Sequence, residues 1–235
     1  MTGPAEHPRR SFLYRTLGAA GARWHVVDDA AVAADYGDPD GERETARRMG
    51  LADLSPLPRT GFKGAGTPEW LSAQGISVPD ESNRATRQDN GILACRLAPA
   101  ELLLLGPLSG EGEALADLDE AWAKEPVPPE TPRGFPVPRR DSHAWFCVTG
   151  ERAPDMFAKV CAVDLRPAHF AELSIAQTSV ARSAAVIVRE DLGGVSVYHL
   201  LSDSAGSAYL WDCLIDAMAE FDGHPVGHSA LLALA

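Results

Sequence analysis

The sequence predicts an α+β protein built from two halves that repeat one another. Two segments begin a helix in the same way: residues 64–71 follow the pattern G-x-x-T-P-E-W-L, and residues 150–157 follow G-x-x-A-P-D-M-F. A proline in the first helical turn with an acid beside it is typical of a helix N-terminus, because proline needs no donor there and the acid complements the helix dipole. Strand-like runs and a second helix follow each of these starts.

Hydrophobic patterning places the remaining elements of each half. In the first half it predicts strands at 91–97 and 101–105 and a helix at 113–124. In the second half it predicts strands at 179–189 and 195–200, followed by a helix with one continuous apolar stripe of Leu210, Cys213, Leu214, Ala217, Met218 and Phe221. Each half is therefore predicted to run strand–helix–strand–strand–helix, a split β-α-β (ferredoxin-like) arrangement.

Composition divides the chain into an extension and a core. Residues 1–47 are predicted to be an N-terminal extension, partly disordered or bound to a partner, because their apolar groups show no clear core. Residues 48–235 form the predicted folded domain, with halves 48–125 and 139–235. The linker 126–138 holds six prolines, which make it stiff and unfit for a central strand.

Charge and composition exclude several classes of protein. Of the 235 residues, 45% are apolar and 23% charged, a mixture that predicts a globular fold. The net charge of −12 comes from two acidic segments, 28–44 and 111–130, each with seven acids and one base. The sequence shows no basic stripe for nucleic acid, no apolar run long enough to span a membrane, and no secretory signal. We therefore expect a cytoplasmic protein that binds neither nucleic acid nor membrane.

Sequence motifs favour neither a metal site nor a catalytic residue. The four cysteines form no C-x-x-C, and no G-x-S-x-G nucleophile elbow is present. His224 and His228 have the i, i+4 spacing of metal ligands, but Pro225 and Gly227 would break the helix between them. The segment G-A-G at 64–66 lacks the third glycine of a dinucleotide site.

Five residues are the candidates for a ligand-binding or interface site. Arg59, Lys63 and Gly64 precede a predicted helix N-terminus, where free backbone N–H groups suit a phosphate or carboxylate. Asn83 and Arg84 form a polar loop pair that could hold an amide or a carboxylate. Ordinary turns with solvated basic side chains remain the alternative at both places.

Several segments resemble a known family. Residues 53–64 (D-L-S-P-L-P-R-T-G-F-K-G) resemble the opening of the gamma subunit of heterotetrameric sarcosine oxidase, which carries L-S-x-L-x-R-x-G-x-K-G. The likeness continues at 79–84 (P-x-x-x-N-R) and 97–103 (L-A-P-A-E-L-L), and it resumes at 161–165 (C-A-V-D-L) and 223–227 (G-H-P-V-G). It covers about residues 50–235, and the wider superfamily is the folate-binding fold of the glycine-cleavage T-protein.

This resemblance implies a non-catalytic, gamma-type subunit of an oxidoreductase complex. Such a complex oxidatively demethylates an N-methyl amine and passes the one-carbon unit to tetrahydrofolate. The resemblance implies no cofactor on this chain, with FAD, FMN, NAD, tetrahydrofolate and zinc on other subunits, and larger flavoprotein subunits as partners. The alternative is a stand-alone folate-dependent aminomethyltransferase or demethylase.

Overall fold

The computed structural model describes residues 3–125 and 133–234. These residues form two compact units. Unit 1 joins the described residues up to Pro56 to those from Ser142 onward, and unit 2 consists of Leu57–Asp141. No helix in the described part of the chain is long and apolar enough to cross a bilayer.

The N-terminal region is folded into unit 1. A short 3-10 helix (Pro4–Glu6) comes first, and a three-stranded sheet follows in the order β1-β3-β2. Leu13 and Leu17 are buried in the core of unit 1. The prediction of an extension without a core therefore differs from the structure, where these elements are β1 (Arg9–Arg10), α1 (Tyr14–Ala19), β2 (Arg23–Val27), β3 (Ala30–Asp35), α2 (Pro39–Arg48) and β4 (Gly50–Asp53).

Unit 2 is an antiparallel sheet with helices on one face. Its strand order is β6-β7-β8-β5-β9. The predicted helix at 113–124 and the strands at 91–97 and 101–105 are confirmed to within two residues. The elements are β5 (Arg59–Lys63), α3 (Thr67–Ala73), β6 (Arg84–Arg87), β7 (Leu93–Ala98), β8 (Glu101–Leu105), α4 (Glu113–Lys124) and β9 (Phe135–Pro136).

The rest of unit 1 is a six-stranded sheet of order β11-β12-β13-β10-β4-β14. Its core lies against α5 and α6, where Phe146 contacts Trp211 and Phe157 contacts Tyr198, each pair with ring centroids 5.4 Å apart. The elements are β10 (His143–Thr149), α5 (Ala153–Val160), β11 (Ile175–Val180), β12 (Ser183–Leu192), β13 (Val195–Asp203), a 3-10 turn (Ser204–Gly206), α6 (Ser207–Ala219), β14 (His224–Pro225) and α7 (His228–Leu232).

The two halves share one topology, which confirms the predicted α+β class. Each runs strand, helix, three antiparallel strands, helix, and the strand orders β6-β7-β8-β5 and β11-β12-β13-β10 correspond. The helices α3 and α5 hold equivalent places. Helix α3 follows β5, which pairs with β8, and α5 follows β10, which pairs with β13. The sequence predicted two strands after each of these helices and missed the edge strands β6 and β11.

The unit boundaries differ from the predicted halves, 48–125 and 139–235. Residues 50–53 form β4, which pairs with β10 and so belongs to unit 1 rather than to the first half. The first part of the predicted linker 126–138, residues 126–132, lies outside the described residues. Phe135 and Pro136 form the edge strand β9, consistent with the expectation that this segment joins no central strand.

Candidate functional site

Arg59 is fully buried, whereas the sequence made it a candidate for a ligand-binding or interface site before a helix N-terminus. Its guanidinium donates hydrogen bonds to three backbone carbonyls: Nε to Arg139 at 3.1 Å, Nη2 to Arg140 at 2.6 Å and Nη1 to Leu57 at 3.4 Å. A buried charge is tolerated only when hydrogen-bonded, and these carbonyls supply that compensation. Arg59 thus ties the first residues of unit 2 to its last ones.

Lys63 lies on the same strand but is exposed. Its Nζ is 2.7 Å from Oε2 of Glu101, the residue opposite it on β8. Arg139 forms an ion pair with the other carboxylate oxygen of Glu101. Burial alone would raise the pKa of Glu101, but hydrogen bonds from Lys63 and Arg139, together with their charges, outweigh burial and lower it.

Gly64 is required by the turn between β5 and α3. Its φ is +130°, a conformation that side chains rarely adopt, and an added Cβ would lie 3.0 Å from the Gly134 Cα. Its N–H donates to the Ala100 carbonyl at 2.8 Å, and its carbonyl accepts from the Thr67 hydroxyl at 2.8 Å. The backbone N–H of Gly64 is therefore used within the protein rather than offered to an anion.

Asn83 and Arg84 lie at the opposite edge of the same sheet. Asn83 has a φ of +63° and donates its N–H to the Arg96 carbonyl at 2.7 Å, while Arg84 begins β6 and pairs with Arg96. Three strand spacings of about 4.8 Å separate β6 from β5, a distance of about 14 Å. The structure therefore groups Arg59, Lys63 and Gly64 but leaves Asn83 and Arg84 apart from them.

Sequence reasoning missed two charged residues of this group, Glu101 and Arg139. Both come from segments far from Lys63 along the chain, and only strand pairing brings them to it. Glu101 directly precedes four leucines in the sequence, and a charge at the start of a buried strand needs a partner. This pattern indicated that Glu101 pairs with a cation, but not with which one.

A second polar cluster lies in unit 1, on the face of the sheet opposite to α5 and α6. Cys147 on β10 pairs with His199 on β13, and the ring Nε2 of His199 is 2.9 Å from Oε2 of Glu190. The indole Nε1 of Trp145 donates to Nδ1 of His199 at 3.1 Å, so Nδ1 is an acceptor and Nε2 carries the proton.

This cysteine, histidine and carboxylate set has the residue types of a nucleophilic triad but not its chemistry. Both ring nitrogens of His199 are engaged by Trp145 and Glu190, so neither can take the thiol proton. Complete burial also raises the pKa of Cys147 far above its usual value, which keeps the thiol protonated. Trp145, His199 and Glu190 thus form a buried hydrogen-bond network beside Cys147.

A surface cavity of about 470 Å³ lies where α5 ends and the chain turns towards β11. Asp155, Cys161, Asp164 and Arg166 contribute to its wall. Asp164 accepts hydrogen bonds from the Arg166 side chain, which holds the pKa of that carboxyl well below its usual range. Asp164 is thus neutralised by Arg166, and Asp155 forms an ion pair with Arg152. Among the described residues, no three His, Cys, Asp or Glu side chains are placed so that they could hold a metal ion together.

Comparisons with known proteins identify the fold. No family model and no curated protein matches the sequence. The structure is similar to a chain of the heterotetrameric sarcosine oxidase from Corynebacterium sp. U-96, solved in complex with pyrrole 2-carboxylate. The identity is 20%, the TM-score is 0.65, and the match covers 92% of this chain and 97% of that one.

It is also similar to the glycine cleavage system aminomethyltransferase T from Bartonella henselae. Here the identity is 16% and the TM-score is 0.73, over 96% of this chain but 61% of that one. This chain therefore has the T-protein-like fold and spans less than two thirds of the aminomethyltransferase.

Proposed function

We propose that this chain is a non-catalytic, gamma-type subunit of a flavoprotein complex like sarcosine oxidase. The observation that carries the proposal is the extent of the match to the sarcosine oxidase chain. The likeness covers 97% of that chain and 92% of this one. A match over nearly the whole of the oxidase chain supports a role like that of that chain. The alternative is a stand-alone folate-dependent aminomethyltransferase or demethylase.

The chemistry of the described side chains agrees with a subunit that works through contacts. The thiol of Cys147 is buried and unreactive beside the His199–Glu190 pair, and the guanidinium of Arg59 is hydrogen-bonded to backbone carbonyls of unit 2. In this proposal FAD, FMN, NAD, tetrahydrofolate and zinc belong to other subunits, and the reaction is an oxidative N-demethylation. The partners are the larger flavoprotein subunits.

Affinity purification of the tagged full chain from its own cells tests the proposal. We expect a yellow complex that shows flavin absorbance and consumes oxygen when sarcosine or a related N-methyl amine is added. The chain expressed alone should show neither property. A chain that retrieves no flavoprotein, yet by itself binds tetrahydrofolate and demethylates such an amine, would establish the transferase function instead.

A further inference from the structure

We infer that Phe135 and Lys63 form a docking surface for a partner protein chain that presents an apolar pocket rimmed by carboxylates. This inference rests on the proposed function and deepens it, because it locates the contact with the flavoprotein. We call Phe135, Lys63, Glu101 and Arg139 the Phe135 surface.

The first observation is the exposure of Phe135. Phe135 is 71% exposed, more than any other large hydrophobic residue in the part of the chain that the structure describes. Single exposed apolar residues are common on protein surfaces, so exposure alone does not identify an interface. The surroundings of this ring provide the further argument.

The backbone on both sides of Phe135 is held in place. Phe135 pairs with Lys63, and the Val137 N–H donates to the Gly61 carbonyl at 2.7 Å. On the other side, the Gly134 carbonyl accepts from the Trp122 indole at 3.1 Å, and a Cβ at Gly134 would lie 2.1 Å from the Thr67 hydroxyl. An aromatic side chain presented on a fixed backbone loses little further entropy on binding, which is the property of an interface anchor.

Charge gives the chemistry of the partner. Lys63, directly opposite Phe135, is 62% exposed, and it shares the Glu101 carboxylate with Arg139. The two cations and the one carboxylate give the Phe135 surface a net charge of about +1, whereas the net charge of the whole chain is −12. Attraction to this patch favours a partner with carboxylates, while the aromatic ring needs an apolar pocket between them.

Binding of the flavoprotein retrieved by the tagged chain tests the surface in the full-length protein. We expect Phe135→Ala to weaken the Kd by about thirtyfold or more, as hot-spot aromatic residues do. Lys63→Gln should weaken it by about three- to tenfold at low salt and reduce the salt dependence of the Kd, because one screened attraction is lost. Circular dichroism checks that both variants are folded.

Matched controls use exposed residues of the same types elsewhere. Tyr209→Ala on α6 and Lys124→Gln on α4 should leave the Kd within about twofold of the wild type.

If the wild type binds the flavoprotein and the Phe135 and Lys63 variants bind equally well, the surface is wrong while the proposed function stands. Failure of the wild type to retrieve a flavoprotein overturns both. A change of the isolated chain from dimer to monomer on Phe135→Ala would show a second copy as the occupant and also overturn the inference.

Discussion

His25 and His228 join the N-terminal sheet to the C-terminal helix of unit 1 through one hydrogen bond. Nε2 of His25 lies 3.0 Å from Nδ1 of His228, so one ring donates and the other accepts. Glu42 on the neighbouring α2 accepts the N–H of Gly227, the residue before His228. Burial lowers the pKa of His25, and the Asp35 carboxylate offsets this only in part.

The lowered pKa of His25 predicts a loss of stability in acid. Below its ordinary pKa of about 6.5, the unfolded chain takes up a proton that the folded chain resists, so the free energy of unfolding falls as pH falls. We expect His25→Gln to flatten this dependence between about pH 7.5 and 5.5, by only a fraction of the roughly 1.4 kcal/mol per pH unit that one whole proton would give, because His25 is half-buried and solvent screens its charge. Urea unfolding at several pH values measures it, and Val26→Gln on the same strand is the control. An equal slope in His25→Gln and wild type would contradict the prediction.

Sequence patterns indicated the basic residues of the candidate site but not their environments. Strand alternation puts Arg59 and Lys63 on one face of β5, yet Arg59 is buried and Lys63 is exposed. Arg59 is buried because the backbone carbonyls of residues 139 and 140, about eighty positions later in the chain, lie beside it and accept its hydrogen bonds. Contacts between distant segments have no local signature, so Glu101 and Arg139 could not be grouped with Lys63 in advance.

At the level of elements, the paired helix starts were the strongest guide to the fold. Gly64 and Gly150 both have positive φ, and in both turns the residue three positions later donates its N–H to the glycine carbonyl, at 3.2 and 3.1 Å. The two turns therefore share one geometry as well as one sequence pattern.

Gly150→Ala should destabilise unit 1 by about 2–4 kcal/mol. The φ of +104° strains any side chain, and the new Cβ would lie 2.4 Å from the Arg48 carbonyl, a backbone group that cannot easily move. Chemical denaturation followed by tryptophan fluorescence measures the change. Gly206→Ala is the matched control, because its added Cβ meets nothing within 4 Å, and we expect a change within about 0.5 kcal/mol. Equal stabilities of the two variants would argue against the turn geometry.

Strands were predicted where hydrophobic residues run continuously and missed where they do not. The runs that became β7, β8, β12 and β13 lie inside the sheets. The missed strand β6 has the sequence R-A-T-R and lies at a sheet edge, where one side of the backbone lacks a neighbouring strand. Edge strands carry charge and polarity for that reason, which removes the pattern that would reveal them.

At the level of the whole molecule, the N-terminal region is part of the core of unit 1. Ser11 donates to the buried Asp53 carboxylate, which also accepts the Ser55 N–H at 2.8 Å. Leu13 and Leu17 pack into the same hydrophobic cluster as the α5 and α6 residues. Sequence composition concealed this because the core partners of these apolar residues lie far along the chain.

Deletion of residues 1–35 is therefore expected to abolish cooperative unfolding of unit 1. The truncation removes β1, α1, β2 and β3 and uncovers apolar surface that Leu13, Leu17 and Ala33 cover. Increased binding of the dye ANS and loss of near-ultraviolet circular dichroism are the measurements. Deletion of residues 1–8 removes only the segment before β1 and should change neither signal. A native spectrum for the larger deletion would mean that the region is dispensable.

The division of unit 1 into two stretches of chain sets an order for folding during synthesis. β4 leaves the ribosome well before β10, its neighbour in the sheet, because Leu57–Asp141 must be made in between. Those 85 residues (141 − 57 + 1) take roughly 4–17 s at a translation rate of about 5–20 residues per second. During that interval β4 lacks β10, the strand that pairs with it, and at the end of the interval the sequence of unit 2 is complete. Unit 2 is thus the first of the two units able to complete its fold, and the two stretches of unit 1 assemble last.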